Sequence, residues 1–407
     1  MRNRRTAVLA ISVAGAALLA ACGSSSKSGG GATTTAAAAT TTAAGATTTA
    51  AAATTTAAPA ATLKGNCPDT VVVQTDWFPE SEHGATYELM GDDYKASKDT
   101  GAVVGTLTFK GKDMGVKLEI RAGGPFLGNQ NVTSQLYKDD KILLGYVSTD
   151  EAVKFSKDTP TVAVVSPQEL SPQVILWDAT KHPNAKTIAD IAKEVQNVTV
   201  FGGSSYADFL VAQGIVPAAK LDFNYKGDKI LVTAGATTAH QGFATAEPYQ
   251  YANLDTGAIK TAYQLIADVG WSPYPQALAL KKSKLDDPKI QACMKTLVPM
   301  FQQAQIDYIK DHARADKIII ATNNTYDSFW KYDQGAADFS VKAQVDLKIV
   351  DNGDDKTLGN FSDARMTDFI KKAIDTYTAE KTPVDAALKP ADIATNDYID
   401  KSISYGG

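Results

Sequence analysis

The chain has 407 residues, with 40 Lys and Arg against 45 Asp and Glu and a formal charge of −5. That acidity argues against a nucleic-acid binder or a basic membrane-docking face. Beyond residue 21 no apolar run reaches the ~18 residues of a spanning helix, and residues 67–407, of ordinary globular composition, are long enough to suggest two lobes rather than one core.

The first 21 residues read as a leader. Met1–Arg5 is basic, Ala7–Ala21 is apolar, and small residues precede Cys22, the pattern of a secretory signal. Its arginines leave with it, so the mature chain is more acidic still. Leu19-Ala20-Ala21-Cys22 resembles a bacterial lipobox. That resemblance implies cleavage before Cys22, lipidation of its thiol and an exported protein anchored to the extracytoplasmic face of the bacterial membrane; an ordinary cleaved signal with a chance Cys is the alternative. Residues 32–62 are Ala and Thr except Gly45 and Pro59, and 32–44 recurs letter for letter at 46–58. Nothing there can form a core to offset ordering entropy. Residues 22–66 are therefore expected to be a disordered tether. Cys67 and Cys293 remain as an even pair in an oxidising compartment, a disulfide candidate with two free thiols as the alternative.

The folded part alternates strands and helices. Strands are predicted at 70–74, 116–120, 142–147 and 161–165, with helices over 83–97, 131–139 and 149–156, the last capped by Thr149/Asp150. The same grammar repeats with a strand at 173–177, a helix over 186–195, a strand at 198–201 and a helix over 206–213. A turn of helix at 240–246, a return strand at 273–280 and a long helix over 286–312 follow. This predicts an α/β fold of two lobes, each with a mostly parallel sheet. Crossovers near 166–172 and 270–277 assign 67–168 and 276–407 to the first lobe and 169–275 to the second, closing like a hinge on a ligand. In this layout Cys67 and Cys293 both fall in the first lobe, so they can pair.

The run from Gln74 to Tyr87, QTDWFPESEHGATY, resembles the opening segment of the thiamine-precursor (hydroxymethylpyrimidine) class of periplasmic-type binding proteins, relatives of the nitrate, sulfonate and taurine binders. Lys186–Ile191, Phe209-Leu210 with Gly214-Ile215, Thr245–Tyr249 and Thr395–Asp400 resemble later landmarks of that class, in order. The resemblance spans roughly 70–400. It implies a type II periplasmic-binding fold that hands a small molecule to the permease of an ABC importer, as a monomer without cofactor.

Ligands of open α/β lobes sit at the carboxyl ends of strands. That places Asp76, Trp77 and Phe78, Gly123 and Gly124, and Thr149 and Asp150 on the cleft from the first lobe, with His83 a further candidate. From the second come Ser204, Ser205, Tyr206, Glu247 and Tyr249. Glycines admit close backbone approach and aromatics offer a stacking surface. Each has a plainer reading: Trp77 and Phe78 as core, His83 as a helix start, Ser204 as a cap, Glu247 in a surface turn. Beyond the leader Arg occurs only at 121, 314 and 365, and only Arg121 sits at a strand end. Oxyanion capture prefers Arg, so the set tilts towards a neutral or cationic, ring-containing solute over nitrate or sulfonate. No metal-ligand spacing or nucleophile elbow appears, and no enzyme is expected. Asp351–Asp355 reads as a surface turn.

Overall fold

The run Thr-Val-Val-Val-Gln at 70–74 forms a strand (β1) whose last four residues are buried, as the β-branched composition dictates. A computed structural model describes residues 62–406. The leader, Cys22 and the repeat up to residue 61 lie outside the described residues. Thr62–Asn66, expected in the tether, lie on the fold: Leu63 is fully buried and its N–H donates to the Met114 carbonyl at 3.0 Å.

Strands Lys95–Ser97 (β2), Ala102–Phe109 (β3), Lys112–Arg121 (β4), Ile142–Val147 (β5) and Thr161–Val165 (β6) follow. The second sheet is built of Gln173–Asp178 (β7), Asn197–Thr199 (β8), Leu221–Asp222 (β9), Thr238–Phe243 (β10) and Thr261–Leu265 (β11); Ala277–Lys281 (β12) then returns to the first. The sheet orders are β2-β3-β4-β1-β5-β12-β6 and β11-β7-β10-β8-β9. β1 runs parallel to β4 and β5, and β12 is antiparallel between β5 and β6. The chain thus leaves the first sheet after Val165 and re-enters it at Ala277, at the edge of β5. The α/β class is as the sequence predicts, but the sheets are not mostly parallel. β1 with β4 and β5, and β8 with β9 and β10, are parallel, while the hairpin strands β2–β4 and the returning β7, β11 and β12 pair antiparallel.

Several elements differ from expectation or were not predicted, among them β2, β9 and the helices Ala313–Tyr326, Gln334–Asp346 and Asp363–Ala379. The helix predicted over 83–97 is confined to Gly84–Glu88, because Asp93 turns the chain by accepting from the Thr106 N–H and hydroxyl. β3 was not anticipated; it forms a hairpin with β4 through Lys110 and Gly111, both at positive φ, the geometry that matches strand twist. His240–Phe243, the first part of the turn of helix predicted over 240–246, belongs to β10 (Thr238–Phe243), the strand between β7 and β8. Its polar residues are buried by pairing: Thr238 and Thr199 hydroxyls are 3.1 Å apart, and His240 bonds Tyr251. Tertiary position overrides local propensity here. The helix begins only at Glu247, with Pro248 in its first turn.

The helix Pro288–Lys310 starts at Asp287, whose side chain accepts from the Lys289 N–H, and covers the first sheet and the helix Gly84–Glu88. It carries Cys293, which is bonded to Cys67 with the Cα atoms 4.8 Å apart. The helix Asp363–Ala379 packs on Thr149–Lys154 and on Ser205–Ala212, touching helices associated with both sheets. Arg365 on it grips both crossovers: it pairs with Glu169, donates to the carbonyls of Glu169 (2.8 Å) and Pro273 (2.9 Å), and lies 3.8 Å over the Tyr274 ring.

Candidate functional site

β1 ends at Gln74 and the chain turns towards the second sheet through Asp76 and Trp77. The turn is held by Thr75, whose hydroxyl donates to the Trp77 carbonyl at 2.6 Å. Gly123 and Gly124, after β4, form the seat. The Gly123 N–H donates to the Trp77 carbonyl, and a Cβ on Gly124, at φ +58, would lie 2.3 Å from the Trp77 ring. Only glycine lets the indole lie against this backbone. Trp77 then reaches Phe201, after β8, with ring centroids 5.4 Å apart, and Trp330 at 5.7 Å.

Around this bridge lies a cleft between the sheets. Its largest part, about 550 Å³, is lined by Asp76, Trp77, Gly124 and Asp150 on one side and by Phe201–Tyr206 and Gln241 on the other. A narrower part of about 170 Å³ runs behind Trp77 to Glu80, Tyr225, Glu247 and Trp330, and a third of about 110 Å³ reaches Trp271 and Gln276. Asp76 and Gln173 border all three.

Asp76 is oriented by its neighbours. The buried His83 donates Nε2–H to Oδ1 at 2.7 Å, and the Gln276 amide donates to both oxygens at 3.2 and 3.1 Å. Gln276 holds that position with a φ of +44, a conformation that non-glycine residues adopt at a cost when the surroundings demand it. Asp150 accepts from the Ser148 hydroxyl, the Glu151 N–H and Trp271 Nε1 at 3.0 Å, which ties it to the second crossover. Gln241 Oε1 gathers Phe201 N–H, the Ser204 hydroxyl and the Tyr206 hydroxyl, fixing the Gly202–Tyr206 turn.

The acids behind Trp77 are held differently. Burial raises the Glu80 carboxyl well above the ordinary glutamate range, reinforced by Glu82, Asp76 and Glu247, and its Oε1 has no hydrogen-bond partner. Glu247 is pushed up to about 7 by burial, against the Phe243 N–H that donates to it at 2.6 Å. Glu151 is likewise pushed up to about 7 by burial. Glu82 is raised by burial although Thr245 donates to it.

Of the residues singled out from sequence, Asp76, Trp77, Gly124, Asp150, Ser204, Ser205, Tyr206 and Glu247 line the cleft. Five do not. Phe78 is buried beneath Trp77, and His83 and Gly123 support the Asp76–Trp77 turn from behind. Thr149 is spent on Tyr274, whose N–H donates to its hydroxyl at 2.9 Å. Tyr249 faces outward to Asp333 and Phe339. Arg121 is bound by Glu119 at 2.6 Å and Asp139 at 2.8 Å, away from the cleft. Residues not foreseen are Glu80, Gln173, Phe201, Tyr225, Gln241 and Trp330. Glu80 lies inside the QTDWFPESEH run and could have been read from it; Trp330 carries no local signal. Among the described residues, His312, Asp316 and Asp338 bring ligand atoms within 4.8 Å of one another, on helix ends that do not border the cleft.

No family model and no curated protein matches the chain. Solved structures do. One is a protein of Bordetella bronchiseptica RB50, 13% identical over 81% of this chain and 96% of that one, with a TM-score of 0.52. Another is the ligand-binding component of an ABC-type import system from Staphylococcus aureus, solved with zinc bound: 13% identity, 82% and 100% coverage, TM-score 0.50. The periplasmic nitrate-binding protein of Synechocystis PCC 6803 follows at 12% identity, 81% and 87% coverage and a TM-score of 0.47. At such identities the likeness speaks for the fold: this chain has the periplasmic-binding-protein fold. Among the described residues no helix is long and apolar enough to cross a membrane.

Proposed function

We propose that the chain is the solute-binding component of an ABC importer, taking a small ring-containing, neutral or cationic nutrient between two lobes, 67–168 with 276–407 and 169–275, and delivering it to the permease. Lipidated Cys22 would hold it at the extracytoplasmic face of the membrane. The observation that carries this reading is the lining of the cleft, where aromatic faces and carboxylates converge from both sheets. The oxyanion reading is disfavoured because Arg121, Arg314 and Arg365, the arginines of the described residues, are each engaged by carboxylates elsewhere. The resemblance to the thiamine-precursor class supplies a first ring-bearing candidate.

The test is a thermal-shift screen of hydroxymethylpyrimidine, thiamine, other cationic and neutral heterocycles, nitrate and taurine. A bound solute stabilises as RT ln(1 + [L]/Kd) without turnover. A ring-bearing hit should lose roughly tenfold in affinity in Trp77→Ala, about 1.4 kcal/mol, as a stacking surface is removed. Stabilisation by anions alone, or conversion of the hit, would overturn the reading.

A further inference from the structure

The part of the cleft behind Trp77 holds about 170 Å³, less than the ~300–1,000 Å³ that encloses a whole ligand. It therefore suits one group of a molecule whose remainder occupies the larger cavity. Its walls are aromatic, no Lys, Arg or His borders it, and Glu80 and Glu247 stand in its lining. Glu80 is 1% exposed, and its Oε1 is without a partner. Buried polar atoms in native proteins are nearly always bonded, so an unpartnered carboxyl oxygen in a pocket wall points to a donor that arrives with a ligand.

We propose that this pocket is a subsite for a planar organic cation of the amidinium or guanidinium class, whose N–H groups are accepted by Glu80 with Glu247 beside it. The proposal rests on the reading of the cleft as a site for ring-bearing solutes and fixes the charge of the group that enters deepest. Two parallel N–H donors match the two oxygens of a carboxylate. The faces of Trp77 and Trp330 favour a cation over a neutral group, and an anion would meet Asp76, Glu80 and Glu247 with no Lys, Arg or His in the lining to offset them.

Entry of the cation is coupled to a proton. In the empty pocket the Glu80 carboxyl is raised well above the ordinary glutamate range by burial and by the acids that face it: Glu82 and Asp76 from its own turn and Glu247 from the helix after β10. His83 faces Asp76, while Tyr87, Tyr225 and Tyr332 bring neutral hydroxyls. The cation replaces the carboxyl proton, which passes to solvent, so its affinity rises with pH.

The purified protein is titrated with benzamidinium, neutral benzamide and anionic benzoate, three molecules of one shape, followed by tryptophan fluorescence. Benzamidinium should saturate and bind at least tenfold tighter than benzamide, with benzoate weakest. Its affinity should rise several-fold from pH 5.5 to 7.5, and calorimetry in phosphate and Tris should detect proton release. Glu80→Gln should lower benzamidinium affinity at least tenfold and reduce the pH dependence to the part that Glu247 contributes. Equal binding of benzamidinium and benzamide, no saturation, or a benzamidinium affinity unchanged in Glu80→Gln would overturn the subsite. A solute from the nutrient screen that binds Glu80→Gln as tightly as wild type would also overturn it while leaving the importer reading intact. Glu80-dependent benzamidinium binding with no hit in that screen would do the reverse.

Discussion

Asp76 and Asp150 stand in the outer cleft with their oxygens occupied, Asp76 by His83 and Gln276, Asp150 by Ser148, the Glu151 N–H and Trp271. Glu80 and Glu247, deeper in the same cleft, have almost nothing: Oε1 of Glu80 is unpartnered, and Glu247 has one backbone N–H and a Tyr225 hydroxyl 3.5 Å away. The difference separates two uses of a carboxylate. Donors supplied by the protein fix the first pair as scaffolding for the turn and the crossover. The second pair is desolvated with few donors to offset it, which raises both carboxyls and leaves them able to respond to a ligand.

The sharpest way to break this contrast is through pH. The Glu247 carboxyl is raised in the folded protein from 4.5 to about 7, so the folded state binds a proton that the unfolded state has already lost. The stability this provides is full below about 4.5 and disappears as pH rises through about 7. The size is on the order of 3 kcal/mol. Urea unfolding at pH 4.5 and 8 should show wild type losing that much more than Glu247→Gln, with a residual slope from other raised acids, among them Glu80, Glu82, Glu151 and Glu169. Parallel slopes would mean that Glu247 is not held out of water as described. A smaller effect is expected from the scaffolding pair. Asp150→Ala leaves Trp271 Nε1 buried without its acceptor and should lower stability by about 2 kcal/mol, read from the urea midpoint at pH 7. A loss under ~0.5 kcal/mol would show that the saturated carboxylates are not structural. Least of all is expected from Tyr249→Phe, whose hydroxyl makes one exposed 3.3 Å contact with Asp333; stability should stay within ~0.5 kcal/mol and solute affinity should not change.

Much of the fold is legible in local pattern. β1, β5, β6 and β7 are continuous apolar runs because both faces are covered, and such runs announce themselves. Helix starts were less readable: the cap predicted at Thr149/Asp150 is not formed, Ser148 standing before that helix without a side-chain cap bond, while at Thr187 the hydroxyl and the Asp190 carboxylate close a reciprocal cap. β10 was not readable, since Thr-Ala-His-Gln-Gly-Phe is polar and becomes a central strand only through its neighbours. The cleft divides in the same way. Asp76 and Trp77 follow a strand end, where the topology alone puts ligands. Gln276 and Trp330 reach the same place from a crossover and from the C-terminal region, and no spacing in the chain relates them to residue 76.

The bond between Cys67 and Cys293 also decides where a mechanical load would travel. Any pull on the chain ahead of Thr62 first loads the bonds of Thr62 and Leu63 to the Met114 carbonyl, then meets the covalent link just before β1 begins and passes into the helix Pro288–Lys310. The force is then spread over the apolar face of a 23-residue helix instead of the hydrogen bonds at one end of β1. With the bond reduced, the same pull would act on β1 directly, and the strand that carries Asp76 and Trp77 at its far end would be the first to peel.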